Sequence, residues 1–390
     1  MQRLNWLCTL ALCSVSSTGL AWDIRGNIGL EFRQFPNNAV YYPFEKSNVS
    51  VSGETEFYQT IGDSGSLTIT PFFRVDQHDD ERTHIDLREF VYTHVGDTWE
   101  LNAGVGKVFW GVAESQNIVD IINQTDQVEN GSGSEKLGQP MVNLKLFQDW
   151  GTVDLFVLPG FRERTFLGEG GRPRSPLIVD TDNALYENDA ENQHVDLAVR
   201  YSHTLDVWDF GIHAFHGTAR DPLLQPSSTG QLQPFYYQST QIGTDIQATL
   251  ESWLLKLEAI YKTGDAIENH AELVGGFEYS FYGIADSAAD LGVVAELLYD
   301  DREDAQPFQK DLLVGLRWVQ NNESSSEALL GIIQDLDHGT QTLSLEASTR
   351  IGNSVKLSGE LTLWHNTDDD PFFATFDEED YLQLDLRYFF

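Results

Sequence analysis

Tyr381-Leu382-Gln383-Leu384-Asp385-Leu386-Arg387-Tyr388-Phe389-Phe390 ends the sequence, and its reading decides the fold. Leu382, Leu384, Leu386, Tyr388 and Phe390 take one face of an extended strand, while Tyr381, Gln383, Asp385, Arg387 and Phe389 take the other, because successive side chains of a strand point to opposite sides. One apolar face and one charged face suit the wall of a closed membrane barrel, whose outside meets lipid and whose inside lines a polar lumen.

The same period of two recurs upstream. Ile24, Ile28, Leu30 and Phe32 oppose Arg25, Asn27, Glu31 and Arg33; Leu67, Ile69, Phe73 and Val75 oppose Thr68, Thr70, Arg74 and Asp76; Val195, Leu197, Val199 and Tyr201 oppose His194, Asp196, Arg200 and Ser202. Counting such segments from Trp22 to Phe390 gives roughly eighteen strands, with about sixteen as the alternative if weak segments near 141–161 and 329–335 merge. Short turns at Gly62-Asp63-Ser64-Gly65, Gly96-Asp97, Trp150-Gly151, Asp206, Glu251-Ser252, Asn321-Asn322 and Gly352-Asn353 alternate with longer links at 36–46, 111–139, 162–193, 218–234 and 366–379. That asymmetry fits a barrel with short turns on one side of a membrane and long loops on the other. Trp22, Trp99, Trp150, Trp208, Trp253 and Trp318 sit at or near the short turns, where an aromatic girdle meets lipid headgroups. The fold class expected is all-β, a transmembrane antiparallel up-and-down β-barrel over residues 22–390.

Residues 1–21 read as a secretory signal peptide: Arg3, an apolar stretch from Leu7 to Val15, and Gly19-Leu20-Ala21 before Trp22. The apolar stretch is too short to span about 30 Å of hydrocarbon. Both cysteines, Cys8 and Cys13, fall inside it, which excludes disulfides and thiolate metal sites from the barrel. Beyond Ala21 no run approaches the roughly 20 apolar residues of a membrane helix, so any crossing is made by strands. Hydrophobic residues at 41% and a mean hydropathy of -0.31 agree with apolar side chains at every second position. Sixty-one acids against 24 bases give a net charge of -37, which argues against nucleic acid as a partner.

Between His84 and Asp126 the sequence carries a local signature. Ile85-Asp86-Leu87-Arg88-Glu89-Phe90-Val91-Tyr92 is followed by Gly106-Lys107-Val108-Phe109-Trp110-Gly111 and then by Val119-Asp120-Ile121-Ile122-Asn123-Gln124-Thr125-Asp126. In this order the three segments resemble an uncharacterised porin-like family of Gram-negative outer-membrane β-barrel proteins, and Asp311–Trp318 resembles another strand of such barrels. The resemblance implies a channel or transporter in the cell outer membrane, in contact with outer-membrane lipid and lipopolysaccharide. The final strand resembles the closing strand of bacterial barrels, which implies that the barrel-assembly machinery reads Phe390. Lys107 stands where Arg is more usual.

Charged residues within strands should face the lumen: among the bases Arg25, Arg74, Arg88, Arg200, Arg317 and Arg387, among the acids Glu54, Glu56, Asp76, Asp86 and Glu100. The third long loop, 111–139, is rich in apolar residues that open water would disfavour. Ile118, Val119, Ile121 and Ile122 predict a short amphipathic turn packed on the inner wall, with Glu114, Asp120, Asn123 and Asp126 as the polar edge of a constriction and Arg88 as a counter-charge. Acid clusters at Asp79-Asp80-Glu81, 300–304, Asp368-Asp369-Asp370 and Asp377-Glu378-Glu379-Asp380 read as solvated loop charge that could attract divalent cations, without the spacing of a calcium loop. The function expected is a porin-like channel for small hydrophilic solutes, with no cofactor. The alternatives are a barrel enzyme acting on lipid, for which His84, His94, His194, His203, His213, His216 and His270 are available but no nucleophile motif is present, and a closed-lumen structural or receptor barrel.

Overall fold

The computed structural model describes residues 22–42, 44–130, 134–302 and 306–390. The expected signal peptide lies outside the described residues, as do Glu303 and Asp304 of one acid cluster. In chain order the strands are β1 (Asp23–Gln34), β2 (Ser47–Ile61), β3 (Gly65–Asp76), β4 (His84–Val95), β5 (Trp99–Gly106), β6 (Gln139–Gln148), β7 (Gly151–Pro159), β8 (Leu185–Tyr186), β9 (Val195–Leu205), β10 (Trp208–Thr218), β11 (Leu223–Pro226), β12 (Leu232–Tyr236), β13 (Gln238–Leu250), β14 (Trp253–Thr263), β15 (His270–Phe281), β16 (Asp290–Asp300), β17 (Lys310–Val319), β18 (Glu327–Asp335), β19 (Gln341–Ile351), β20 (Val355–His365) and β21 (Tyr381–Phe389). Eighteen of them form one antiparallel sheet, while β8, β11 and β12 make a small separate sheet among the loops. The weak segments near 141–161 and 329–335 are strands β6, β7 and β18, so the count is eighteen rather than sixteen.

The sheet closes on itself. Strand β1 pairs with β2 (Leu30 opposite Val51) and with β21 (Leu30 opposite Leu386). Phe390 extends that seam, its N–H donating to the Gly26 carbonyl at 3.0 Å and its carbonyl accepting the Gly26 N–H at 3.1 Å. Closure leaves no unpaired edge, the condition for strands in hydrocarbon.

Register across the wall sorts the side chains. Ile28, Leu30, Val75, Leu197, Ile212, Ile242, Val314 and Leu384 are exposed on the outside. Glu31, Arg74, Asp154, Asp196, Glu258 and Glu296 are buried on the inside. A continuous apolar belt around the whole circumference suits lipid and not water. Trp22, Trp150, Trp208 and Trp253 are exposed at the rim of short turns, and Trp150 stacks on Tyr201 with centroids 5.9 Å apart.

Pro71 interrupts the alternation. It has no N–H to give to a ladder, and pairing shifts between Thr70 and Pro71: Thr70 faces Glu89 but Pro71 faces Leu87. Arg88 is the extra, unopposed residue of this bulge. Ile85 and Leu87 on one side of it, and Phe90 and Tyr92 on the other, therefore all reach the outer belt, although strict alternation would send one pair inward. Arg88 itself is buried inside.

Val314 lies near the middle of β17 on the outer face. Val314→Arg should lower barrel stability by about 2–4 kcal/mol, the cost of a guanidinium near the bilayer midplane, as read from denaturant unfolding in lipid vesicles.

Candidate functional site

The loop between β5 and β6 spans 107–138, slightly longer at its start than the sequence suggested. Asn123 holds its two legs together: Nδ2 donates to the carbonyls of Gly106 (2.9 Å) and Leu137 (2.8 Å), and Oδ1 accepts the Val108 N–H at 2.8 Å. From this neck, Trp110, Val119, Ile121 and Ile122 pack on Met141, Phe156, Leu158, Ala198, Phe215 and Ile260, inward positions of β6, β7, β9, β10 and β14. These four apolar residues of the loop are buried against the inner wall, whereas Phe109 near its start is exposed.

The expected amphipathic helical turn is not formed. Residues 111–126 run through turns and bends, with the N–H groups of Val112, Ala113, Glu114, Ser115 and Val119 taken by wall carboxylates instead of helix carbonyls. Glu258 on β14 accepts from Val112 (2.6 Å), Ala113 (2.9 Å) and Val119 (3.3 Å). Glu296 on β16 accepts from Glu114 (2.8 Å) and Ser115 (2.8 Å), and from the Ser115 hydroxyl at 2.7 Å. Two carboxylates thus fix the loop through its backbone, whatever its side chains.

Its other flank is held by arginines. Arg74 donates twice to Glu129, at 2.7 and 2.6 Å, and Arg82 donates to the Val128 carbonyl at 2.7 Å. Arg88 pairs with Asp126, which also accepts the Thr165 hydroxyl at 2.7 Å. Behind this contact Glu31 meets Arg33, Arg74 and Arg82 at 3.0–3.1 Å, and Asp76 meets Arg82 at 2.7 Å. Burial alone would raise the Glu129 carboxyl, but Arg74, Arg82 and Arg88 together hold it below the usual range. Asp120 goes the other way: burial raises it, and Lys136 and the Trp110 N–H offset only part of this.

The expected constriction residues separate. Glu114 keeps 24% of its side chain exposed and pairs with Arg317 and, at 3.5 Å, with Lys256. Asp126 and Asn123 are buried, and the Asp120 side chain is 1% exposed, so these three hold the loop in place instead of edging an opening. Arg74, Arg88, Asp76 and Asp86 face inward but lie under the loops, Asp86 held by Arg162 at 2.7 Å. Arg25 pairs with Glu56 near the turn rim, Glu100 approaches Lys145, and Arg200 is bidentate to Asp245 at 2.7 Å. Glu54 and Arg387 stand on the inner face without full burial. Not all loop acids are solvated as the clusters suggested: Asp79 accepts the Gly168 N–H, and Glu379 pairs with Arg172 at 2.6 Å. Beside the loop, Arg317 also reaches Glu278, and Glu346 lies directly opposite Glu360. His213 faces inward against Gln241 and Trp110, and His194 bonds to Asp196.

No family model matches the sequence, and no curated protein matches it. Among solved structures, Pseudomonas aeruginosa OccD3 is similar with a TM-score of 0.56 at 10% identity, over 96% of this chain and 92% of that one. Escherichia coli Wzi, an outer-membrane protein involved in group 1 capsule assembly and a carbohydrate-binding barrel, follows at 0.55 and 10%, over 94% and 84%. Acinetobacter baumannii OccAB3 stands at 0.54 and 10%, over 94% and 99%. The fold is that of a porin-type outer-membrane barrel.

Within this barrel the buried ion network sets two expectations. Arg82→Ala leaves buried Asp76 without its paired cation and removes one of three from Glu31, and should cost about 3–5 kcal/mol, seen as a lower Tm in detergent. Because its folded-state pKa is depressed, Glu129 contributes stability that is present above the ordinary glutamate value and lost as pH falls through the folded one. Acid titration of Tm should therefore fall less steeply in Glu129→Gln than in the native chain.

Proposed function

We propose that the barrel is an outer-membrane channel through which small hydrophilic solutes diffuse passively, narrowed by the loop 107–138. The observation that carries this reading is the fixing of that loop across the inner wall by Glu258 and Glu296, with partly exposed charge left beside it. Glu114 and Arg317 retain 24% and 31% exposure of their side chains, and Glu278, Glu346 and Glu360 continue the strip along β15, β19 and β20. Charged rings of this kind select among permeating ions. The arginine-rich wall of β3 and β4 takes no part in selection on this reading, since Glu31, Asp76, Asp126 and Glu129 neutralise it under the loop. Glu346 and Glu360, opposite each other with no lysine or arginine bonded to them among the described residues, give the strip its acidic bias.

Lipid and lipopolysaccharide surround the apolar belt in this reading. The assembly machinery would engage the final strand through Phe390 before its main chain joins Gly26.

Planar-bilayer recording tests the proposal. The native chain should form ion-conducting pores, and an absence of conductance from folded protein would favour a closed-lumen barrel. Glu258→Ala with Glu296→Ala releases the loop and should raise single-channel conductance and add flicker; native-like conductance would reject the narrowing role. Glu346→Gln with Glu360→Gln should shift the reversal potential in a salt gradient toward less cation preference, and an unmoved potential would remove those residues from selection.

A further inference from the structure

Where β17, β18 and two loops meet at the loop rim, acidic groups gather without a counter-charge. Asp311 is the second residue of β17 and Asp335 the last of β18, and the two lie directly opposite each other on inward-facing positions. His338 belongs to the short loop 336–340 and Asp370 to the loop 366–380. The ligand atoms of Asp335, His338 and Asp370 all fall within 4.8 Å of one another. That spread fits donors around one ion, since carboxylate oxygens sit about 2.3–2.6 Å from calcium and closer to smaller divalent ions.

Each carboxylate is already oriented. Asp335 Oδ1 accepts the N–H groups of Asp337 (2.7 Å) and His338 (2.6 Å), while its Oδ2 lies 3.3 Å from His338 Nδ1. Asp370 Oδ1 accepts the N–H groups of Phe372 (2.8 Å) and Phe373 (2.9 Å), while Oδ2 accepts the Thr340 hydroxyl at 2.8 Å. One oxygen of each is spent on the backbone and the other turns toward the cluster, as hydrogen bonds around metal ligands do.

Independent of that arrangement is Asp311. It is 2% exposed, and its Oδ2 is buried with no hydrogen-bond partner. The neighbours that act on it electrostatically are Asp335, Asp370 and Asp337, all of its own sign. Among the described residues, none of Asp311, Asp335 and Asp370 forms an ion pair with lysine or arginine. The nearby cations are engaged elsewhere, Lys310 with Asp337 at 3.1 Å and Arg302 with Asp300 and Glu272. Three buried carboxylates in one neighbourhood are costly unless a cation offsets their charge.

We propose that Asp335, His338 and Asp370 bind one divalent cation, whose charge also offsets that of the neighbouring Asp311 carboxylate. Carboxylate oxygens with a single imidazole nitrogen suit a hard or borderline ion such as Mn²⁺, which accepts both donor types. The bound ion would tie the loop 366–380 to the wall, because Asp370 lies at the start of that loop's aromatic turn, where Phe373 meets Phe308 with centroids 6.3 Å apart. The assignment does not rest on the channel reading.

The test uses the folded full barrel in detergent, stripped with EDTA and titrated with Mn²⁺. Free Mn²⁺ read by electron paramagnetic resonance should show one tight ion per chain, weakened at least tenfold in Asp370→Asn. Thermal unfolding supplies the second readout. Asp311→Asn should raise Tm in EDTA, because it removes repulsion, and should shrink the rise in Tm that Mn²⁺ gives the native chain. Equal Mn²⁺ binding by the native chain and Asp370→Asn would overturn the site, as would a Mn²⁺-induced rise that is undiminished in Asp311→Asn.

Discussion

Main-chain pairing between β1 and β21 is the constraint on which the rest depends. In hydrocarbon an unpaired N–H or carbonyl has no water to turn to, and each costs several kcal/mol. The seam from Gln34 opposite Leu382 to Asn27 opposite Phe389, extended by Gly26 and Phe390, satisfies the last two edges of the sheet. It also fixes phase. Once Leu30 faces both Val51 and Leu386, the outward and inward sets of the adjoining strands follow, since a slip of one residue would turn every carboxylate of β1 toward lipid.

The inner surface answers a different requirement. Inward arginines and acids are numerous, and the loops that enter the lumen dehydrate many of them. The barrel meets this with partners of opposite sign along β1–β4, where Glu31, Asp76, Asp126 and Glu129 share Arg33, Arg74, Arg82 and Arg88. On β14 and β16 it uses main-chain donors, since the Glu258 and Glu296 carboxylates collect loop N–H groups. The first device neutralises charge, and the second leaves it negative. That difference confines the accessible acidic bias to one side of the interior.

Much of this was legible in the residues. Period-two alternation, the short turns and the girdle tryptophans gave the strand number and the sidedness, because these follow from local rules that every strand obeys. The loop's burial was legible too, from its isoleucines and valines. Its conformation was not: a run of Ile118, Val119, Ile121 and Ile122 fits helical spacing, yet Glu258, which draws the Val119 N–H away, lies more than a hundred residues downstream. The roles of Asp120, Asn123 and Asp126 were hidden as well, because their polarity suggested an aqueous edge while their contacts are with backbone, Lys136 and Arg88. Nothing near Asp370 in sequence announced Asp311 or Asp335, which reach it only because β17 and β18 are neighbours in the wall.

The bulge at Pro71 ties the outer surface to the inner one. A strand in strict two-residue rhythm could not present Ile85, Leu87, Phe90 and Tyr92 to lipid on a single face; the surplus position absorbs the odd count and hands its side chain to the interior as a mooring post for Asp126. Excising Arg88 would restore an unbroken rhythm to β4 and leave the greasy exterior intact, while loosening one of the ties on the loop within. Fit to the bilayer and one hold on the loop thus meet in the same residue.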